Sequence, residues 1–210
     1  MIQLNKFETI ILDLGGVIID ISPNNVLDAL ERLNKTTKTR QQILDEIKSL
    51  TLIEQHEVGE LTDRQFIFQL GKVISNDDEG AILDAWHSML GEIPEERIAK
   101  IKELKRTHKV CLLSNTNDLH LSRIQEYLHH QYNISLTELF DHVFFSQKIG
   151  FRKPSREIYA HVLSASGVKA ETAVFVDDVL ENAKSAEQVG IVGYHLDLSQ
   201  NKLHQIFNHG

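Results

Sequence analysis

Three apolar runs of the chain end in polar residues able to act together. Residues 8–12 run into Asp13, residues 109–113 into Ser114-Asn115-Thr116, and residues 172–176 into Asp177-Asp178. A fourth segment, Gln147 to Pro154, carries Lys153. Three carboxylates gathered in one place repel each other, and each disfavours ionisation of its neighbours. A compensating cation is therefore required. Magnesium suits the arrangement, because it prefers oxygen ligands, keeps some of its water, and is held by one or two carboxylates plus a substrate phosphate. With Lys153 as a point charge and Ser114 as a hydroxyl, such a pocket has the parts that steady a phosphoryl group during in-line displacement. Asp13 is the candidate nucleophile, since an aspartate attacking phosphorus gives an acyl phosphate that water can hydrolyse.

These groups meet only if the elements bearing them are adjacent. The runs at 8–12, 109–113, 142–145, 172–176 and 191–195 are short, apolar and rich in β-branched residues, which predicts strands. Between the later runs the spacing is helical, over 95–106, 118–130, 155–166 and 180–189. This alternation predicts an α/β fold, a doubly wound and mainly parallel sheet with helices on both faces. Ligands of such sheets sit beyond the carboxyl ends of the strands, where Asp13, Ser114 and Asp177 are expected. Residues from Pro23 to about His87 read as helix throughout, with plausible starts at Ser22-Pro23 and Thr62-Asp63. The expected organisation is a core of residues 1–21 and 93–210, with a cap of about four helices inserted at 22–92.

Composition narrows the function. Of 210 residues, 41% are hydrophobic and 25% charged, the values of an ordinary globular protein. A net charge of -8 argues against an electrostatic grip on nucleic acid. The apolar stretch from Thr9 to Ile21 is interrupted by Asp13 and too short to span a bilayer, so no membrane is expected and cytoplasm is the default. The single cysteine, Cys111, lies in an apolar run and is expected to be a buried, inert thiol. None of the eleven histidines shows zinc-ligand spacing. Gly15-Gly16 lacks the third glycine of a dinucleotide fingerprint. Trp86 and Phe66 to Phe68 are expected to pack the cap, and the charges of 95–106 to form the wet face of a helix. The oligomeric state is left open.

Asp13-Leu14-Gly15-Gly16-Val17, Leu113-Ser114-Asn115, Arg152-Lys153-Pro154 and Phe175-Val176-Asp177-Asp178 resemble the four ordered motifs of the haloacid dehalogenase superfamily. The resemblance spans the core and implies a phosphatase with Asp13 as nucleophile and Ser114, Asn115 and Lys153 as phosphate contacts. It also implies magnesium, or manganese in its place, held by Asp13, the Gly15 carbonyl and Asp177 or Asp178. The insertion resembles the small cap that closes over the site as a lid in one branch of the superfamily.

Finer features resemble the α-D-glucose-1-phosphate phosphatase subgroup, among them Asp13-Leu14-Gly15, Ser114-Asn115-Thr116-Asn117 and His56-Glu57-Val58-Gly59-Glu60. The substrate implied is a small phosphorylated metabolite such as a sugar 1-phosphate. One departure stands out. Most phosphatases of the superfamily carry a second aspartate where this chain has Gly15, and general acid-base help is worth about 10² to 10⁴ in rate. Either the leaving group is good, as an anomeric oxygen is, or the cap supplies a substitute such as His56 or Glu57. The alternative is a catalytically impaired protein that binds phosphate or a partner. A phosphomutase needs the missing acid-base residue, and a dehalogenase needs no metal, which the Asp177-Asp178 pair argues against.

Overall fold

The computed structural model describes residues 1–208. Its sheet has five parallel strands in the order β4-β3-β2-β5-β6, formed by β2 (Thr9–Leu12), β3 (Lys109–Ser114), β4 (His142–Phe145), β5 (Ala173–Asp177) and β6 (Val192–His195). A separate parallel pair, β1 (Ile2–Gln3) with β7 (Phe207–Asn208), was not apparent in the sequence because two-residue strands carry no period.

Strand side chains alternate between two faces, and each face buries against its own helices. Ile10, Leu12, Val110, Leu112, Val174 and Val176 pack with α6 (Glu95–Leu104) and α7 (Asp118–Tyr132). Ile11, Cys111, Leu113 and Phe175 face the other way, onto α10 (Arg156–Ser166) and α11 (Leu180–Glu187). The expected doubly wound sheet is therefore present. Cys111 is fully buried, and burial pushes its thiol up to about 12, so the thiolate is suppressed at neutral pH.

The order of strands has a consequence for the site. The chain adds β3 and β4 on one side of β2, then returns to place β5 and β6 on the other. Connections leaving β2 and β5 thus run over opposite faces, and a crevice opens beyond their ends, the position where α/β sheets bind ligands.

Between β2 and α6 the chain forms α1 (Pro23–Leu33), α2 (Arg40–Ser49), α3 (Leu52–Glu57), α4 (Asp63–Ile74) and α5 (Glu79–His87), five helices where about four are expected. Thr39 with Gln42 and Thr62 with Gln65 form capping boxes that start α2 and α4, and Pro23 occupies the first turn of α1. These helices enclose a hydrophobic cluster of their own, including Val26, Leu30, Ile43, Ile47, Phe66, Leu70 and Trp86. The chain enters and leaves them side by side: Asp20 N–H donates to the Glu92 carbonyl, and Ser22 N–H to the Met89 carbonyl.

Two expectations about side chains are corrected. Phe68 is 52% exposed, with the Lys72 ammonium 5.0 Å from its ring centroid, whereas Phe66 and Trp86 pack inside. Arg97, read as part of a wet helix face, is buried. Its guanidinium donates to the Ile18 carbonyl at 3.0 Å and pairs with Asp20 at 2.7 Å, bracing the loop that follows Asp13. The loop bearing Lys153 is preceded by a short turn of helix, α9 (Ser146–Ile149), and a similar turn, α8 (Leu136–Leu139), precedes β4.

Candidate active site

Parallel register brings the four motifs together. Asp13 follows β2, its N–H donating to the Val176 carbonyl of β5 at 2.9 Å. Asp177 ends β5, and Asp178 follows it. Oxygens of Asp13, Asp177 and Asp178 lie within 4.8 Å of one another. Lys153 is buried among them, its ammonium donating to Asp13 Oδ1 at 2.5 Å, Asp177 Oδ2 at 2.7 Å and the Leu113 carbonyl at 3.3 Å.

Burial shapes the charges here. Desolvation pushes the Asp13 carboxyl up to about 7; Lys153 opposes the rise and Asp177 adds to it. Flanked by two carboxylates, Lys153 is held above its ordinary value despite its burial, so it remains an ammonium. Asp178 is also raised, first by burial and then by Asp177. Three carboxyl groups converge on a single ammonium, and a hard divalent cation in the pocket would favour their ionised forms.

The two acids of the last motif are not equivalent. Asp177 Oδ1 accepts from the Val179 N–H at 2.8 Å and the Asn182 amide at 3.1 Å, while Oδ2 accepts from Lys153 and again from Asn182 at 3.1 Å. Asp177 is therefore saturated by the protein. Asn182 was missed in the sequence, although it sits five residues on, in the first turn of the helix that follows the motif. The Asp178 carboxylate lies against the backbone of Gly16. A side chain at Gly16 would collide with Asp178 Oδ2, and its φ of +72° also favours glycine.

Asn115 turns both ends of its amide to the backbone of Lys153, donating to its carbonyl at 2.9 Å and accepting from its N–H at 2.8 Å. It thereby ties the lysine loop to the end of β3. Ser114 is buried beside it. Gly15 directly follows Asp13 and Leu14, and a Cβ placed there would meet Ile21 Cδ1 at 3.2 Å, so the position of the usual second aspartate is flanked by hydrocarbon.

A cavity of about 320 Å³ lies between the sheet and the inserted helices. One end is formed by Leu14, Gly15, Ser114, Asn115 and Thr116, and Glu57 of α3 also lines it. His56, one of the two expected stand-ins for the missing acid, is not among the lining residues. It is 2% exposed, stacked on Phe66 at 4.1 Å and bonded to Asp63 at 2.8 Å, because a six-residue helix cannot turn adjacent side chains toward one point. Glu57 is held by Arg152, whose Nε and Nη2 both reach Oε2, at 2.9 and 2.8 Å. Burial nevertheless raises its carboxyl above the usual range.

A family model described as haloacid dehalogenase-like hydrolase matches residues 7–190. The sequence is 31% identical over 193 residues to a sesquiterpene phosphatase of Aspergillus oryzae, covering 90% of each chain. It is 26% identical over 184 residues to a D-ribitol-5-phosphate phosphatase of Bacteroides thetaiotaomicron, covering 87% of this chain and 88% of that one. A haloacid dehalogenase-family enzyme of B. thetaiotaomicron, solved in complex with magnesium and inorganic phosphate, shares the fold with a TM-score of 0.83 at 23% identity, over 95% of this chain and 99% of its own. With the motif order, the doubly wound sheet and the cluster of acids around a buried lysine all in agreement, the chain belongs to the haloacid dehalogenase-like hydrolases.

Proposed function

We propose that this hydrolase is a magnesium-dependent phosphatase that cleaves a small phosphomonoester through an aspartyl phosphate on Asp13. The observation that carries the reading is the convergence of Asp13, Asp177 and Asp178 within 4.8 Å around the Lys153 ammonium. The two curated relatives, named as phosphatases, support it.

The residues suited to hold magnesium are Asp13, the Gly15 carbonyl and Asp178, with Asp177 serving to anchor Lys153. A bound magnesium ion supplies the charge that keeps Asp13 ionised and draws charge from the phosphoryl oxygens. Lys153 and Ser114 contact the phosphoryl group, and Asn115 fixes the lysine loop. An Asp13 oxygen bonds to phosphorus as the ester P–O bond breaks, the electron pair departing on the alcohol oxygen. Glu57 gives that oxygen its proton. Water then hydrolyses the acyl phosphate, releasing inorganic phosphate and the Asp13 carboxylate, and Glu57 takes a proton back. Residues 22–92 act as a lid on a core of residues 1–21 and 93–210.

The sugar 1-phosphate reading draws on Gly15, whose lack of a carboxyl suits a good leaving group. The relatives are named for an alditol phosphate and a terpenoid phosphate instead. The test of the chemistry itself is phosphate release from p-nitrophenyl phosphate with and without magnesium, for the native protein and Asp13→Asn. Turnover that needs magnesium and vanishes in a folded Asp13→Asn variant is expected. Undiminished hydrolysis by the variant excludes Asp13 as the attacker, and a native protein that binds phosphate without turnover is a sensor.

A further inference from the structure

We infer that the alcohol half of the substrate is a hydrocarbon, so that the enzyme acts on monophosphates of aliphatic or isoprenoid alcohols rather than on phosphorylated sugars. This rests on the phosphatase reading above and names its substrate class. The cavity has a polar side at the end of β3, formed by Ser114, Asn115 and Thr116, and most of its remaining wall is apolar, with Leu27 and Leu30 from α1, Leu44 and Ile47 from α2, and Met89 and Leu90 from the returning chain. The cavity is partly open to solvent, and its volume of about 320 Å³ falls at the lower end of small-molecule sites.

The other polar groups of the lining are already matched within the protein, Glu57 by Arg152 at 2.9 and 2.8 Å. Asn117 Oδ1 accepts from the His120 N–H at 3.0 Å and the Trp86 indole N–H at 3.5 Å; its amide nitrogen is 3.4 Å from His120 Nδ1, and His120 Nε2 is 3.2 Å from the Trp86 carbonyl. The imidazole thus serves as acceptor on one side and donor on the other, in its neutral form. A polyol entering here would surrender water at each hydroxyl without a partner in return, whereas a hydrocarbon gains from every methylene removed from water.

The experiment measures kcat/KM with magnesium for n-alkyl monophosphates from butyl to dodecyl and for farnesyl monophosphate. α-D-Glucose 1-phosphate and D-ribitol 5-phosphate are run beside them, with p-nitrophenyl phosphate as reporter of the chemistry. Within the alkyl series, kcat/KM is expected to rise about fourfold per methylene until the cavity is filled. The sugar esters are expected to fall below farnesyl monophosphate by about tenfold for each hydroxyl left without a partner. Leu44 is half-buried, so Leu44→Gln should fold, as a thermal melt will show, and should lower kcat/KM on the dodecyl ester about tenfold more than on the butyl ester. A flat chain-length profile, or preference for either polyol while p-nitrophenyl phosphate is hydrolysed, overturns the hydrocarbon assignment and leaves the phosphatase reading standing. Equal losses on both esters in Leu44→Gln also overturn it. Release of phosphate from none of the esters, p-nitrophenyl phosphate included, overturns both.

Discussion

Replacing Lys153 by methionine removes the ammonium that joins Asp13 and Asp177 while keeping the length and apolar body of the side chain. That body can still pack on the Phe175 ring, 5.3 Å from the present ammonium. The cost comes from what remains. Asp177 keeps its bonds from Val179 and Asn182, but Asp13 loses the ammonium 2.5 Å away and stays buried beside another carboxylate. Deleting one partner of a buried ion pair costs about 3–5 kcal/mol. In a chain of this size such a loss lowers the melting temperature on the order of 10 °C.

The sign of the pH dependence sharpens the prediction. Asp13 already titrates at about 7 in the fold against 3.8 as its ordinary value, and losing Lys153 raises it further. A folded carboxyl with a raised pKa takes up a proton on folding, so its stability contribution is fullest below the unfolded value and is lost as pH rises through the folded one. The deficit of Lys153→Met is therefore larger at pH 8 than at pH 5. Urea unfolding in chelator at the two pH values measures it, with near-UV circular dichroism as the probe. A deficit below about 1 kcal/mol at pH 8, or one that grows on acidification, would refute the placement of Lys153 as the counter-charge of buried acids.

Glu57→Gln should slow hydrolysis of alkyl phosphates by about 10² or more, and of p-nitrophenyl phosphate much less, because only the poor leaving group needs a proton. Equal slowing on both esters points to the lost Arg152 contact instead. Gly16→Ala should cost about 1–3 kcal/mol and weaken magnesium binding, since the added methyl meets Asp178 at a left-handed backbone position; calorimetric titration and a thermal melt read the two effects. His120 is lowered from 6.5 to about 4, first by burial, so its neutral form contributes stability that is complete above 6.5 and is lost as pH falls toward 4. The loss is on the order of 3 kcal/mol. Urea midpoints between those pH values should fall in the native protein and flatten in His120→Gln, and an unchanged slope would rule out the neutral imidazole.

The sheet and the positions of the reacting groups are legible in the chain because both depend on local pattern. Short β-branched runs such as Ile10-Ile11-Leu12 and Val174-Phe175-Val176 form buried parallel strands, and a polar residue at the end of such a run must sit at the carboxyl edge of the sheet. Asp13, Ser114 and Asp177 follow from that alone. The partners of these groups do not. Whether Lys153 meets substrate or carboxylates, why Asp177 is saturated by Asn182 while Asp178 remains available, and why His56 turns inward while Glu57 lines the cavity are decided by packing between segments far apart in sequence. The apolar cavity is of the same kind: leucines and isoleucines at helical spacing in α1 and α2 read as core in any sequence. Only the placement of the helices over the sheet leaves part of that face unfilled, because side-chain volume across an interface has no signature in either strand of sequence that forms it.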